Sequence, residues 1–313
     1  MTMTMLVFLG SLLAAMALGI PIAHSLIISG VALLIKMTMF DTQILASTLV
    51  DGADNFPLMA IAFFILAGEL MNAGGVSKRI IAFAIALVGH VRGGLGYVAI
   101  LASLIFSGLS GSAVADTAAL GAILIPIMEE AGYKRGHSAA LIASAGIIPP
   151  LMPLSVPMII FGVTGNVSIP KLFMSGIFPG LMLGLCLAAT WAWIARKEHF
   201  KVQPKKSFKE IMVATKDAVW AFVLPLIIIV GLRGGIFTPT EAASIAVFYA
   251  LFVGVFIYRE LKFSRITEVL VSAAKVTSVV MFLAATAMIS SWLIAVANIP
   301  AQLADMLAPL MNN

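Results

Sequence analysis

The sequence predicts an all-α protein that crosses a membrane several times, and three observations carry that expectation. Of 313 residues, 61% are hydrophobic and 11% charged, with a mean hydropathy of +1.10, whereas a soluble domain carries about 25% charged residues. Apolar runs of helical length recur along the chain, separated by short polar or glycine-containing joints. The short alternating strands of a membrane β-barrel do not occur in it.

Charge and cysteine usage narrow the class further. The net charge is +5 and the pI about 9.4. The positive charge sits in loops, where it reports cytoplasmic orientation and contact with anionic headgroups of the lipid bilayer; no nucleic acid is expected as a partner. The single cysteine, Cys186, lies in an apolar run, which excludes a disulfide framework and reads as a buried small hydrophobe. Residues 1–20 have no basic segment ahead of the apolar one, so they predict a first transmembrane helix and not a cleaved signal.

In chain order, residues 3–20 and 24–37 are apolar runs broken at Gly19-Ile20-Pro21, and residues 41–55 are a polar surface segment holding Asp51, Asp54 and Asn55. Residues 56–71 are a clear span with Pro57 well placed at a helix start. Residues 78–96 carry Lys78, Arg79, His90 and Arg92 around an apolar core, which suits a helix lying along the membrane surface as well as a span. Residues 172–195, 218–232 (with Pro225) and 242–258 are further spans, and Thr238-Pro239-Thr240-Glu241 resembles a helix start. Residues 196–216 form the most basic loop. Residues 261–275 predict a mixed-charge surface helix, 276–297 a last span, and 299–313 a further apolar stretch. The four tryptophans, Trp191, Trp193, Trp220 and Trp292, read mostly as interfacial anchors.

Residues 107–157 stand apart. Residues 97–106 are too short to cross a hydrocarbon core of about 30 Å. A stretch of serines and glycines follows (Ser107-Gly108-Leu109-Ser110-Gly111-Ser112), then an apolar run over 115–130. Either this is a re-entrant hairpin over 97–130, or one long helix kinked at the glycines; length favours the hairpin. Next, Pro149, Pro150 and Pro153 forbid regular helix, so residues 134–163 predict a discontinuous helix. Freed backbone groups inside a bilayer are tolerated only where protein or a watery cavity satisfies them, so two adjacent breaks predict a binding site. Counting basic residues outward from the loop after Ala195 places both ends of the hairpin on the cytoplasmic side.

Several motifs together resemble one family: Ser110-Gly111-Ser112-Ala113-Val114-Ala115-Asp116-Thr117-Ala118-Ala119, the turn Glu130-Ala131-Gly132-Tyr133, Ser144-Ala145-Gly146 with the prolines after it, Phe56-Pro57-Leu58, Leu66-Ala67-Gly68-Glu69-Leu70-Met71 and Thr238-Pro239-Thr240-Glu241. The chain resembles the large membrane subunit of tripartite ATP-independent periplasmic (TRAP) transporters over nearly its whole length. The resemblance implies an ion-transporter-like fold of inverted repeats working as an elevator. Residues 1–55 are then N-terminal scaffold, 56–165 a first transport repeat, 166–260 further scaffold, and 261–313 the incomplete start of a second repeat. The family's second hairpin and broken helix would begin about where the sequence ends, so a C-terminally truncated chain is expected. The resemblance also implies sodium-coupled uptake of an organic acid such as a C4-dicarboxylate or sialic acid. The acid is delivered by a periplasmic binding protein, and a small membrane subunit packs against the scaffold, all in the bacterial inner membrane.

Sodium prefers hard oxygen ligands, and broken helices supply them as freed carbonyls. Ser107, Gly108, Ser110 and Ser112 at the hairpin tip, with Ser144 and Gly146 in the break, are the candidate sodium residues. The competing explanation is that small residues let helices pack closely. Ser155, Pro150 and Asp116 are the candidate substrate residues. A carboxylate within a membrane helix is functional by default, yet Asp116 sits where it would also cap or complement a helix N-terminus. Glu69 reads as a solvated charge at the end of its span. No cofactor is expected beyond the coupling ion. Gly108-Leu109-Ser110-Gly111 also matches a short serine-nucleophile pattern, which makes an intramembrane serine protease one rival; a passive channel is the other. The protease lacks a base at membrane depth, since His137 and His199 flank basic turns.

Overall fold

A computed structural model describes residues 2–109, 111–197, 200–302 and 304; Ser110, His199 and most of 299–313 lie outside the described residues. Every regular element among the described residues is helical. Among the described residues, six helical segments are long and apolar enough to cross a membrane: Phe56–Ala73, Arg135–Thr164, Ile169–Ala195, Phe208–Arg233, Pro239–Ile257 and Phe263–Val296. The chain divides into two compact units, Met1–Leu58 with Val276–Asn313, and Met59–Lys275.

In the first unit, α1 (Thr2–Ala17) turns at Gly19, whose φ of 79° suits glycine, and α2 (Ile22–Lys36) begins after Pro21. The polar segment expected over 41–55 is a short helix, α3 (Thr42–Ala53). It starts because Asp41 accepts a hydrogen bond from the Gln43 N–H at 2.7 Å, filling the N-cap role. Phe8, Leu33, Leu34, Ile289 and Leu293 form the unit's core. Gly30 lets α2 approach to where a methyl group would touch Leu293 at 3.1 Å. Because lipid is as apolar as these side chains, close packing and not water exclusion holds such helices together.

The second unit runs from α4 (Met59–Ala73) through α5 (Val76–Val88), α6 (Gly94–Ser107), α7 (Ala113–Glu130), α8 (Arg135–Ala145), α9 (Val156–Thr164) and α10 (Ile169–Ala195) to α11 (Phe208–Arg233) and α12 (Pro239–Phe252). The helix α12 runs on as a π turn over Val253–Ile257. Capping boxes start α11 and α12: the Ser207 and Thr238 N–H groups donate to Glu210 and Glu241 at 2.7 and 2.8 Å. The predicted start at residues 238–241 is therefore the observed one. α4 packs along α12 where Gly74 faces Gly254, and a methyl on Gly74 would lie 3.0 Å from the Gly254 Cα. Glu69 is half-buried on α4 and accepts a hydrogen bond from Ser272, so it is held by a partner and is not simply solvated.

Three further expectations change. The surface helix over 261–275 and the span over 276–297 are one uninterrupted helix, α13 (Phe263–Val296), of 34 residues. At about 1.5 Å per residue it is about 51 Å long. Cys186 is exposed on α10 and not buried, because in a membrane protein the outward face of a helix is itself apolar. Trp191 is no interfacial anchor: it is 2% exposed, and its indole N–H donates to the Gly93 carbonyl at 2.8 Å.

Trp191 belongs to a junction that fixes the joint between α5 and α6. Gly96 has its Cα against the Trp191 ring, with no room for a side chain. The ring stacks with Phe200 (centroids 5.9 Å apart), which in turn stacks on Tyr133 at 3.9 Å. The Lys201 N–H donates to the Ala131 carbonyl, and the Arg92 guanidinium donates to the Arg196 carbonyl, both at 3.0 Å. The α5–α6 joint, the α7–α8 turn and the end of α10 are thereby tied together on the side that carries the basic loops.

Candidate functional site

The two predicted breaks exist, and they meet. α6 ends at Ser107 with Gly108 as its cap, and α7 starts after Gly111 and Ser112. The kinked-helix alternative is excluded: Gly111 has a φ of 60°, and α6 and α7 pack against each other as a hairpin. α8 ends at Ala145, a 3-10 turn covers Pro149–Leu151, and α9 starts at Val156. Between turn and helix, Leu154 has a φ of 74°, a left-handed conformation uncommon for a branched side chain. Gly111 at the hairpin tip lies directly on the Leu154 carbonyl; a methyl there would also come within 3.0 Å of the Ser155 Cα.

This contact brings the N-termini of α7 and α9 together. Each carries a serine cap. The Ser112 Oγ accepts from the Ala115 N–H at 3.3 Å, so the cap is Ser112 and Asp116 occupies the turn after it. The Ser155 Oγ accepts from the Met158 N–H at 3.4 Å and donates to the Pro150 carbonyl at 2.7 Å. Asp116 is 3% exposed, in the first turn of α7. The C-terminal ends of α6 and α8 adjoin: the Ser103 hydroxyl donates to the Ala145 carbonyl at 2.7 Å, and Gly146 has its Cα against Thr117 of α7.

Neighbouring helices press on the break. On α10, Gly176 faces the Leu151 carbonyl, Gly180 faces Met152, and Gly184 faces Leu104 of α6. Gly108 abuts Pro225 of α11, where a methyl would lie at 3.3 Å from the ring. An i, i+4, i+8 glycine stripe is what lets a helix approach irregular backbone this closely.

The candidate residues do not all converge. Ser107 is fully buried, and its hydroxyl donates to the Leu104 carbonyl at 2.5 Å. Gly108, Ser112 and Gly146 lie at the tip and the break, as do Pro150 and Ser155. Ser144 donates to the Ala140 carbonyl at 2.8 Å and lines a separate recess of about 390 Å³ between α8 and α10, with His137, Thr190 and Trp193. Sequence reasoning missed Ser103, Thr117 and Leu154. Thr117 was legible as a hydroxyl one turn into α7; the other two depend on contacts between distant segments.

Chemically, two helix N-termini present positive dipole ends to one locus, which suits a carboxylate. Helix C-termini and hydroxyls beside them present oxygens, which suit a small hard cation.

The sequence matches the family described as the tripartite ATP-independent periplasmic transporter, DctM component, over residues 9–313. A multi-pass helical bundle of the bacterial inner membrane, a permease and not an enzyme, is the class thus defined. The chain belongs to the family of TRAP transporter large permease proteins. It is 54% identical over 311 residues to the 2,3-diketo-L-gulonate TRAP transporter large permease protein YiaN of Escherichia coli, covering 99% of this chain and 73% of that protein. It is 40% identical over 295 residues to the sialic acid large permease SiaM of Vibrio cholerae, covering 94% and 69%. Against the C4-dicarboxylate large permease DctM of Pseudomonas aeruginosa it is 37% identical over 286 residues, covering 91% and 67%. A large permease of such a tripartite transporter works with a small membrane subunit and a periplasmic binding protein.

Proposed function

We propose that this permease carries an organic acid into the cell with sodium as the coupling ion, taking it from a periplasmic binding protein. The observation that supports this reading is the seating of Gly111 on Leu154 and Ser155, which sets two capped helix N-termini at one point. Those N-termini favour the substrate carboxylate, with Ser155, Pro150 and the buried Asp116 around it. Oxygens from Ser107, Gly108, Ser110 and Ser112 at the tip, and from Gly146 at the break, serve sodium, with Ser112 the central candidate; Ser144, which lines the separate recess between α8 and α10, is left out of this set. In this reading residues 56–165 form a transport repeat that moves as an elevator, 1–55 and 166–260 are scaffold segments, and 261–313 open a second repeat. The related permeases named for diketogulonate, sialic acid and C4-dicarboxylates handle acids, which supports a carboxylate as the cargo class.

The test is uptake into proteoliposomes holding the permease with its small subunit, supplied with the loaded binding protein and a sodium gradient. Ser112→Asn keeps a good N-cap, so folding is retained while the sodium dependence of uptake shifts. Unchanged sodium dependence in that variant counts against the sodium assignment, and uptake indifferent to the sodium gradient rejects the coupling altogether.

A further inference from the structure

Away from the hairpin and the broken helix, a recess of about 820 Å³ opens between α5 and α11. Its walls are aliphatic, with Ala82 and Ile85 of α5 facing Val213 and Ala214 of α11. Its rim is charged: the cations Lys78, Arg79, Lys206 and Lys209 outnumber the acids Glu210, Asp217 and Glu260, and most of these charges are already paired. Arg79 is bound to Glu260 at 2.7 Å, and Lys206 to Glu210 at 2.9 Å. Lys78 reaches Glu260 only at 3.9 Å, with 74% of its side chain exposed. Lys209 makes no ion pair among the described residues. Two ammonium groups, one from each wall, thus flank the mouth of an apolar slot.

The level of this slot in the membrane follows from its flanks. Lys201, Lys205, Lys206 and Lys209 place the start of α11 at the cytoplasmic surface. Phe208, Met212 and Val213 are 75, 56 and 54% exposed, as side chains facing acyl chains would be. Cations at the headgroup level above an aliphatic cleft match an anionic amphiphile.

We propose that the α5–α11 recess binds one anionic phospholipid of the cytoplasmic leaflet. Its phosphate lies between Lys78 and Lys209, and the start of one acyl chain lies between Ala82, Ile85, Val213 and Ala214. A zwitterionic lipid would bring its own ammonium against the two lysines. Free phosphate would leave the aliphatic walls unfilled. α5 leads through Gly93 into the hairpin helix α6, so a lipid here braces the approach to the hairpin against α11.

The test is native mass spectrometry of the full chain in mild detergent, titrated with dioleoylphosphatidylglycerol or dioleoylphosphatidylcholine. One phosphatidylglycerol is expected to bind ahead of the others, with phosphatidylcholine much weaker. The Lys78→Gln/Lys209→Gln double variant should lose roughly 30-fold in affinity, as two lysines at an anionic membrane surface would supply. The Lys78→Arg/Lys209→Arg variant retains binding. Ala82→Trp, which fills the slot from an exposed position, abolishes tight binding without touching a charge. Equal binding of phosphatidylcholine, unchanged affinity in either the glutamine or the tryptophan variant, or displacement of the lipid by millimolar inorganic phosphate would each overturn the proposal.

Discussion

Gly111 rests on the backbone carbonyl of Leu154, and both residues have a positive φ, 60° and 74°. The hairpin tip and the broken helix are thus joined through main chain, at a point where neither can accept a larger neighbour. A left-handed conformation costs an L residue about 1–2 kcal/mol, and at position 111 a methyl would also strike Leu154. Gly111→Ala is therefore expected to destabilise the protein by more than about 2 kcal/mol and to abolish uptake. Leu154→Gly relieves the left-handed strain but deletes a side chain that is 1% exposed, so it too is expected to destabilise, by about 2–5 kcal/mol less the strain relieved. Thermal unfolding in detergent, set beside uptake in proteoliposomes, checks both.

Ser155 works as a cap and as a donor to Pro150. Replacing a serine N-cap by alanine costs about 0.5–2 kcal/mol, and here the Pro150 carbonyl also loses its partner. Ser155→Ala should lower stability by about 2 kcal/mol, with Ser155→Asn recovering part of the loss. A substrate role adds a further effect that stability does not follow. Uptake of the asparagine variant, measured at saturating binding protein, separates the two.

At the aromatic junction, burial pushes the Tyr133 phenol up to about 12, against its hydrogen bond with the Leu95 backbone. The sign is that of a group whose neutral form is favoured by folding. Its contribution is fully present below the unfolded value near 10.0 and is lost as pH rises through about 12. Tyr133→Phe should therefore flatten the decline in stability between those two values. Ultraviolet difference titration at the phenolate band should show one fewer tyrosine ionising at high pH in the variant.

Arg79 is held three ways: to Glu260 at 2.7 Å, to the Gly75 carbonyl at 3.0 Å and over the Tyr258 ring at 3.8 Å. With 35% of the Glu260 side chain exposed, solvent screens the pair, and a coupling energy of about 1 kcal/mol is expected. A double-mutant cycle with Arg79→Gln and Glu260→Gln measures it. The coupling should shrink at about 1 M salt, where the screening length falls to about 3 Å.

Features written in local chemistry were legible from the sequence. Pro149, Pro150 and Pro153 break a helix wherever they stand, and Gly111 with Ser112 marks a turn followed by a cap, so both breaks were read in the right places. The fusion of a surface helix and a span into α13 was missed because polarity changes at about residue 275. Polarity sets the environment of a helix and does not end it; between Phe263 and Val296 there is neither proline nor glycine. Facing directions were the other loss. Ser144 and Cys186 lie on helix faces that only their neighbours define, and in a bilayer an apolar face gives no clue to inside or outside. The seating of Gly111 on Leu154 joins residues more than forty positions apart, and no local pattern announces it.

The junction around Trp191 has a practical consequence. Trp191 is 2% exposed, whereas Trp193 and Trp220 are 62 and 37% exposed, and Trp191 alone stacks between the α5–α6 joint and the loop after α10. The protein thus contains an optical probe at the root of its hairpin. With Trp193, Trp220 and Trp292 replaced by phenylalanine, its fluorescence can be followed without an added label while ion, substrate or lipid is added, so displacement of that root becomes visible in real time.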